Sequence, residues 1–129
     1  MPFSPLGRGF LTGTVKRAEE YPANDYRRND PRMQGTNFDA NMRAASLVRD
    51  LAGQKGVTPG QLALAWLLHK GDDIVPIPGT KRRVYLEENV GAAALKLSAA
   101  ELEQLDTALR PGSVAGPRYG ERQMSFVDR

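Results

Sequence analysis

Residues 74–89 read Ile-Val-Pro-Ile-Pro-Gly-Thr-Lys-Arg-Arg-Val-Tyr-Leu-Glu-Glu-Asn. The apolar run from Ile74 to Ile77 predicts a short strand, and Gly79 separates it from a predicted helix, which is the order of an α/β unit. Three cations, residues 81–83, fall at the start of that helix. A helix N-terminus is electropositive, so cations are unfavourable there. The pattern therefore indicates that an anion binds at this turn.

The strand and the helix each carry a further signal. Pro76 cannot donate a hydrogen bond to a neighbouring strand, which argues against a central position in a sheet. In the helix, Leu86, Val90 and Ala93 recur at helical spacing and predict one buried face.

The composition is that of a globular protein. The chain has 129 residues, of which 40% are hydrophobic and 26% are charged. Its formal charge of +3 is too small and too dispersed to favour nucleic-acid binding. It has no cysteine, and no apolar run long enough to span a bilayer. We expect a cytoplasmic protein with no membrane or nucleic-acid partner and no metal site.

The chain divides into four segments within a single domain, 1–129. Residues 1–11 predict the end of a strand and a loop, and residues 12–38 predict a long loop with one short helical turn. Residues 39–110 hold the second strand and the helices. Residues 111–129 are rich in glycine and proline and predict a flexible tail that folds over a pocket.

Three helices have clear sequence signals besides the one that follows Gly79. The first spans Asp39 to Lys55, with Met42, Ala45, Val48 and Leu51 on one face. The second begins with Thr58 as its N-cap, Pro59 and a reciprocating Gln61. The last opens with Ser98 and Glu101 as a capping box and buries Leu102, Leu105 and Leu109.

This order of elements is α/β, but two strands cannot form a stable sheet by themselves. The chain therefore reads as part of a larger fold.

Three motifs together resemble the C-terminal part of an aldo-keto reductase: Phe3-Ser4-Pro5-Leu6-Gly7-Arg8-Gly9, Thr58 to Trp66, and Pro76 to Lys81 with Glu88-Asn89. The Gly-Thr-Lys version is similar to bacterial and plant members related to the potassium-channel beta subunit group. The resemblance implies a (β/α)8 TIM barrel that binds NADPH at the C-terminal ends of its strands. This chain would supply strands 7 and 8 with their helices, an incomplete barrel.

The resemblance also implies which residues contact the cofactor. Gly79, Thr80, Lys81 and Arg82 would receive the 2′-phosphate of NADPH, and Glu88 and Asn89 would bind the adenine. Many relatives have arginine or glutamine where this chain has Tyr85, so an aromatic ring would stack on the adenine here. Phe3 would stack on the nicotinamide, while Ser4, Leu6 and the loop to Arg8 would wrap the pyrophosphate.

Simpler interpretations stay open. Residues 81–83 could be a solvated helix face, and Phe3 could be a core residue. Gly7, Gly9 and Gly13 lack the spacing of a dinucleotide-binding fingerprint. The sole histidine, His69, lies at a helix end, where the helix dipole explains it.

The resemblance provides no catalyst. The family's Asp, Tyr, Lys and His set belongs to earlier strands, and none of the four tyrosines, at positions 21, 26, 85 and 119, lies in a matching motif. The first hypothesis is therefore part of an NADPH-dependent reductase of aldehydes and ketones, in which a carbonyl substrate binds only when the N-terminal half is supplied. The alternative is a non-catalytic domain that binds a partner polypeptide or self-associates through exposed strand edges.

Overall fold

Helices dominate residues 1–127, the part of the chain that this computed structural model describes. The α-helices are α1 (Gly35–Lys55), α2 (Pro59–Leu68), α3 (Arg83–Gly91), α4 (Ala99–Ala108) and α5 (Glu121–Met124). Short 3-10 helices occupy Gly7–Thr12, Ala18–Glu20, Tyr26–Asn29, Pro31–Met33 and Ala92–Ala94. None of the helices in these residues is long and apolar enough to cross a membrane.

Helix α1 confirms the predicted apolar face but begins four residues before the predicted start at Asp39. Ala45 and Val48 on that face are buried. The first turn contains polar residues such as Thr36 and Asn37, so it shows no apolar period that could have revealed it. The helix ends at Gly56, whose left-handed backbone, with φ of 70°, suits a residue without a Cβ.

The starts of α2 and α4 match the predicted capping boxes. In α2 the Gln61 amide N–H donates to Thr58 Oγ1 at 3.2 Å, and the Thr58 amide donates to Gln61 Oε1 at 3.2 Å. Ser98 and Glu101 pair in the same way in α4. Beyond the caps, α1, α2 and α4 share one apolar core, whose buried members are Val48, Ala52, Leu62, Ala65, Leu97 and Leu105.

The two predicted strands do not form a ladder in the described residues. They meet only at one isolated parallel bridge, between Phe3 and Ile77, where the Ile77 amide donates to the Pro2 carbonyl at 3.3 Å. Prolines at positions 2, 5, 76 and 78 remove backbone donors on both sides of the bridge. The bridge nevertheless brings the two segments side by side and sets the positions of the loops that follow them.

The predicted buried face of α3 is wrong for this chain. Leu86 is 53% exposed and Val90 is 66% exposed. Ala93 lies beyond the helix, in the exposed part of the 3-10 turn Ala92–Ala94. The spacing of apolar residues indicates which of them share a face, but it does not indicate what covers that face. No other segment of residues 1–127 covers Leu86 and Val90.

The segment between residues 12 and 34 folds onto α1 through three 3-10 turns, where the sequence predicted one short turn. Its buried residues form a second apolar cluster with Phe10 and α1, consisting of Phe10, Ala18, Tyr21, Met33 and Ala45. Asp25 and Asp30 each cap one of these turns by accepting an amide N–H two residues later. The segment is therefore long but built from local turns.

The tail contacts the body of the protein over residues 115–119. The buried Asn41 side chain accepts the Ala115 amide N–H at 2.8 Å and donates to the Ala115 carbonyl at 3.0 Å. Arg32 Nε donates to the Gly116 carbonyl at 3.3 Å. Residues 128 and 129 of the predicted tail lie outside the described residues, and the predicted flexibility stays a prediction.

Candidate functional site

The two loops that follow the Phe3–Ile77 bridge share one open groove with a volume of about 820 Å³. Ser4, Leu6 and Arg8 line it from the first loop, and Gly79 lines it from the second. The bridge fixes this juxtaposition because it holds the residues just before each loop. Four of the eleven predicted cofactor residues therefore lie around a single groove.

The first loop has an unusual backbone. Ser4 has φ of 47° and Arg8 has φ of 59°, a left-handed region that side chains other than glycine seldom adopt. The loop is closed by the Gly7 amide, which donates to the Ser4 carbonyl at 2.9 Å. Such strain costs on the order of 1–3 kcal/mol per residue and clusters at functional sites. The conformation favours a role for the loop in binding.

The Arg8 side chain is committed to the protein itself. Its Nη1 donates to Asp30 Oδ2 at 2.5 Å and to the Arg118 carbonyl at 3.1 Å. The guanidinium also lies over the rings of Tyr26 and Tyr119, with its central carbon 5.3 and 4.9 Å from their centroids. Burial lowers the pKa of Arg8, but the hydrogen bond that Arg8 donates to Asp30 and the nearby charges of Asp30 and the tyrosines outweigh it, and the net direction is upward. Arg8 therefore stays charged, and its hydrogen bonds to Asp30 and Arg118 hold the loop in place.

The second loop is closed by a side chain. The Arg82 amide N–H donates to Thr80 Oγ1 at 3.2 Å, so Thr80 shapes the turn that leads into α3. Arg83 Nε donates to Glu87 Oε1 at 2.8 Å, and Arg82 lies over the Tyr85 ring with its guanidinium carbon 5.8 Å from the centroid. Lys81 has no hydrogen bond or ion pair within residues 1–127. Of the three cations, only Arg83 forms an ion pair within residues 1–127; Arg82 contacts the Tyr85 ring, and Lys81 has neither kind of contact.

Glu88 and Asn89 are half-buried on α3. Thr58 Oγ1 donates to Glu88 Oε1 at 2.7 Å, which orients that carboxylate against the start of α2. A Cβ on Gly60 would lie 3.4 Å from Glu88 Oε1 and 3.9 Å from Leu6 Cδ2, so α2 also connects Glu88 with the first loop. The adenine-binding role of Glu88 and Asn89 stays a prediction.

Phe3 lines a second cavity of about 560 Å³ and is not among the residues that line the groove. The ring is 49% exposed, and the guanidinium carbon of Arg118 lies 5.4 Å from its centroid. Phe3 is therefore not a core residue, contrary to the simpler interpretation. Ser4 and Arg8 line this second cavity as well as the groove.

Sequence reasoning missed several residues of the site. Asp25, Asp30, Tyr26 and Tyr119 surround Arg8 or line the groove, and none of them was predicted. A partial signal was present, because Asp is favoured at the first position of a turn, where its carboxylate accepts the amide N–H two residues later. The pairing of Asp30 with Arg8 spans 22 residues and has no local signature.

Residues 1–127 contain no group of three or more His, Asp or Glu side chains arranged to hold a metal ion.

Among the tyrosines, Tyr21 accepts the Lys16 amide N–H at 2.9 Å, and burial raises the pKa of Tyr26. A general acid needs a pKa near the working pH. The pKa of Tyr26 moves away from that range.

Comparison with known proteins gives a consistent family. A sequence model of the aldo/keto reductase family matches residues 1–110. An aldo-keto reductase of Schizosaccharomyces pombe, whose name specifies NADP(+), is 50% identical over 98% of the chain, and a probable aldo-keto reductase of Glycine max is 44% identical over 92%. An aldo-keto reductase of Strobilurus tenacellus is 36% identical over 98%.

The chain spans 34–38% of the length of these relatives. Nearly all of the chain matches only about a third of each relative, which agrees with a partial domain. On the family match and the identities to these relatives, the chain belongs to the aldo/keto reductase family.

Proposed function

We propose that the chain supplies the cofactor-binding segments of an NADPH-dependent aldo-keto reductase, as strands 7 and 8 of a (β/α)8 barrel with their helices. The observation that carries the proposal is the Phe3–Ile77 bridge, which brings the loops at Ser4–Arg8 and at Gly79 to one groove. Parallel pairing is the arrangement of neighbouring strands in such a barrel. The name of the 50% identical relative supports NADP(H) as the cofactor.

The proposed dinucleotide site extends from the groove toward α3, because Thr80, Lys81 and Glu88 follow Gly79 along the chain and do not line the groove themselves. Backbone amides of a strained loop and the start of α3 suit phosphate oxygens. Lys81, which has no partner in residues 1–127, would contact the 2′-phosphate, and Thr80 would hold the turn in place. Glu88 would keep one oxygen on Thr58 and offer the other to the adenine amino group.

The contribution of the chain to the reaction is binding and orientation. NADPH, when bound, supplies the hydride that reduces an aldehyde or a ketone to an alcohol. Phe3, which is half-exposed, would stack on the nicotinamide, and the loop from Ser4 to Arg8, closed by the hydrogen bond from the Gly7 amide to the Ser4 carbonyl, would hold the phosphates. By the family resemblance, protonation of the carbonyl oxygen would belong to residues on earlier strands of the barrel.

The decisive experiment is a titration with NADPH and NADH, followed by nicotinamide fluorescence. We expect weak or no binding to the isolated chain. When the chain is joined to the N-terminal two thirds of the Schizosaccharomyces pombe relative, we expect micromolar NADPH binding and much weaker NADH binding. Equal affinity for both cofactors in the joined protein would contradict the proposed contact between Lys81 and the 2′-phosphate.

A matched pair of variants isolates that contact. Lys81→Ala in the joined protein should weaken NADPH about tenfold, the cost of about one charge-assisted hydrogen bond, and leave NADH unchanged. Lys96→Ala removes an exposed lysine that has no partner in residues 1–127 and should change neither affinity. If both variants behave alike, Lys81 does not contact the cofactor.

A second candidate function is self-association, favoured by the exposed apolar side chains near the bridge and on α3. They are Phe3, Val75, Ile77, Val84, Leu86 and Val90. Exposed apolar patches of this kind mark interaction surfaces. Light scattering coupled to size-exclusion chromatography tests the candidate, and a monomer at all concentrations would reject it.

A further inference from the structure

The second cavity, beside Phe3, has the size and lining of a small-molecule pocket. Its volume is about 560 Å³, within the usual range of roughly 300–1,000 Å³. Much of the wall is apolar, contributed by Phe3, Phe10, Ala44, Trp66, Leu109 and Val114. A ligand with an aromatic or aliphatic body would therefore be desolvated there.

In the same wall, arginines outnumber carboxylates by three to one. Arg8, Arg32 and Arg118 line the cavity with a single carboxylate, Asp30. Both oxygens of Asp30 are already used, since Oδ2 accepts from Arg8 Nη1 at 2.5 Å and Oδ1 accepts the Arg32 amide N–H at 3.0 Å. Within residues 1–127, the guanidinium groups of Arg32 and Arg118 form no ion pair with a carboxylate.

Those two guanidinium groups retain donors that the described residues do not use. Arg32 donates only through Nε, to the Gly116 carbonyl, and the Arg118 side chain makes no hydrogen bond within residues 1–127. No side-chain nitrogen in these residues is both buried and unpaired, so the remaining donors are accessible. Burial lowers the pKa of Arg32, and the nearby charges of Arg118 and Arg8 lower it further. The cavity thus concentrates positive potential beside apolar surface.

We propose that Arg32 and Arg118 form a carboxylate-binding end of a carbonyl-substrate pocket, so that the preferred substrates carry a carboxylate as well as an aldehyde or ketone group. The proposal rests on the proposed function, because Phe3 then places the nicotinamide at the edge of this cavity. A guanidinium suits a carboxylate because it presents parallel N–H donors to both oxygens. The apolar wall accommodates the carbon skeleton between the two groups.

The test uses the 129-residue chain and a pair of probes of similar shape, 4-carboxybenzaldehyde and its neutral methyl ester. Binding is followed by amide chemical shifts in 1H–15N spectra. We expect the acid to bind at least fivefold more tightly than the ester and to shift the amides of residues 113–116 and 118. We also expect its affinity, unlike that of the ester, to fall as salt is added. Equal affinity for acid and ester overturns the proposal without any variant.

Variants assign the effect to the two arginines. Arg118→Gln removes a charge whose side chain makes no hydrogen bond in the described residues, and it should weaken the acid about fivefold and leave the ester unchanged. Arg32→Gln should act in the same direction, and Arg118→Lys should restore part of the loss. Arg43→Gln, an exposed position on α1 outside the cavity, is the matched control and should have no effect.

Two outcomes separate this proposal from the cofactor proposal. Inorganic phosphate that competes as well as the acid would show a general anion site and would overturn the carboxylate assignment. In the joined protein, tight NADPH binding without discrimination between acid and ester refutes the pocket alone. Discrimination without NADPH binding refutes the proposed cofactor role and leaves the anion site.

Discussion

Asn41 is the side chain on which the docking of the tail depends most. It is 8% exposed and makes three hydrogen bonds, to the Arg32 carbonyl at 3.2 Å and to both the amide and the carbonyl of Ala115 at 2.8 and 3.0 Å. A hydrogen bond of this kind contributes about 1 kcal/mol net. Asn41→Ala removes both bonds to Ala115, so the tail should lose about 2 kcal/mol of docking free energy.

Amide hydrogen exchange measures this loss directly. A docking penalty of about 2 kcal/mol corresponds to roughly thirtyfold faster exchange of the Ala115 amide, because local opening controls exchange there. Asn41→Asp should be at least as damaging, since it keeps the acceptor for the Ala115 amide but turns an oxygen toward two carbonyls. Asn29→Ala removes an exposed asparagine without side-chain hydrogen bonds in the described residues and serves as the control. An Ala115 exchange rate within twofold of the unmodified chain would refute the reasoning.

Three further predictions concern the backbone and the groove. Gly60→Ala, in the first turn of α2, should raise the free energy of unfolding in urea by about 0.5–1 kcal/mol, because the new Cβ would meet its neighbours at ordinary contact distances of 3.4–3.9 Å. A lower free energy of unfolding in the variant would contradict this. Gly116→Ala should destabilise tail docking by about 1–2 kcal/mol in the same exchange assay, because φ is 84° and the Cβ would lie 2.9 Å from Asn37 Nδ2; unchanged exchange rejects it. The pKa of Asp25 is lowered from 3.8 to about 2 by hydrogen bonds from the Arg27 side chain and amide, so its stabilisation is present above pH 3.8 and is lost as pH falls through 2. A carboxyl 13C titration with a midpoint at 3.8 or higher would disprove it.

The sequence predicted the helices best because their signals are local. Thr58 with Gln61 and Ser98 with Glu101 stand three residues apart, and both capping boxes form as predicted. The start of α1 was predicted too late, at Asp39, because its first turn lacks an apolar period. Local residues therefore mark where α2 and α4 begin, and they carry less information about which residues cover these helices.

The failures concern contacts between distant segments. The predicted strands form one bridge, since four prolines limit pairing, and the apolar face of α3 is exposed because nothing in residues 1–127 covers it. Ser4, Leu6, Arg8 and Gly79 line one groove and are also predicted cofactor residues, a role that stays a prediction, whereas the Asp30 partner of Arg8 is not predicted by the sequence. Asp30 lies 22 positions from Arg8, and a pair at that separation has no recurring sequence pattern, so only the fold shows it.

The N-terminal cap of α2 is not a purely local structure. Thr58 Oγ1 accepts the Gln61 amide N–H and donates to Glu88, and Gln61 Nε2 donates to the Glu88 carbonyl at 3.1 Å. The first turn of α2 and the middle of α3 therefore complete the same hydrogen-bond network. Isolated helices of about ten residues are marginal in water. A peptide of α2 alone should thus be largely unfolded, and the two helices should gain their order in one cooperative folding step.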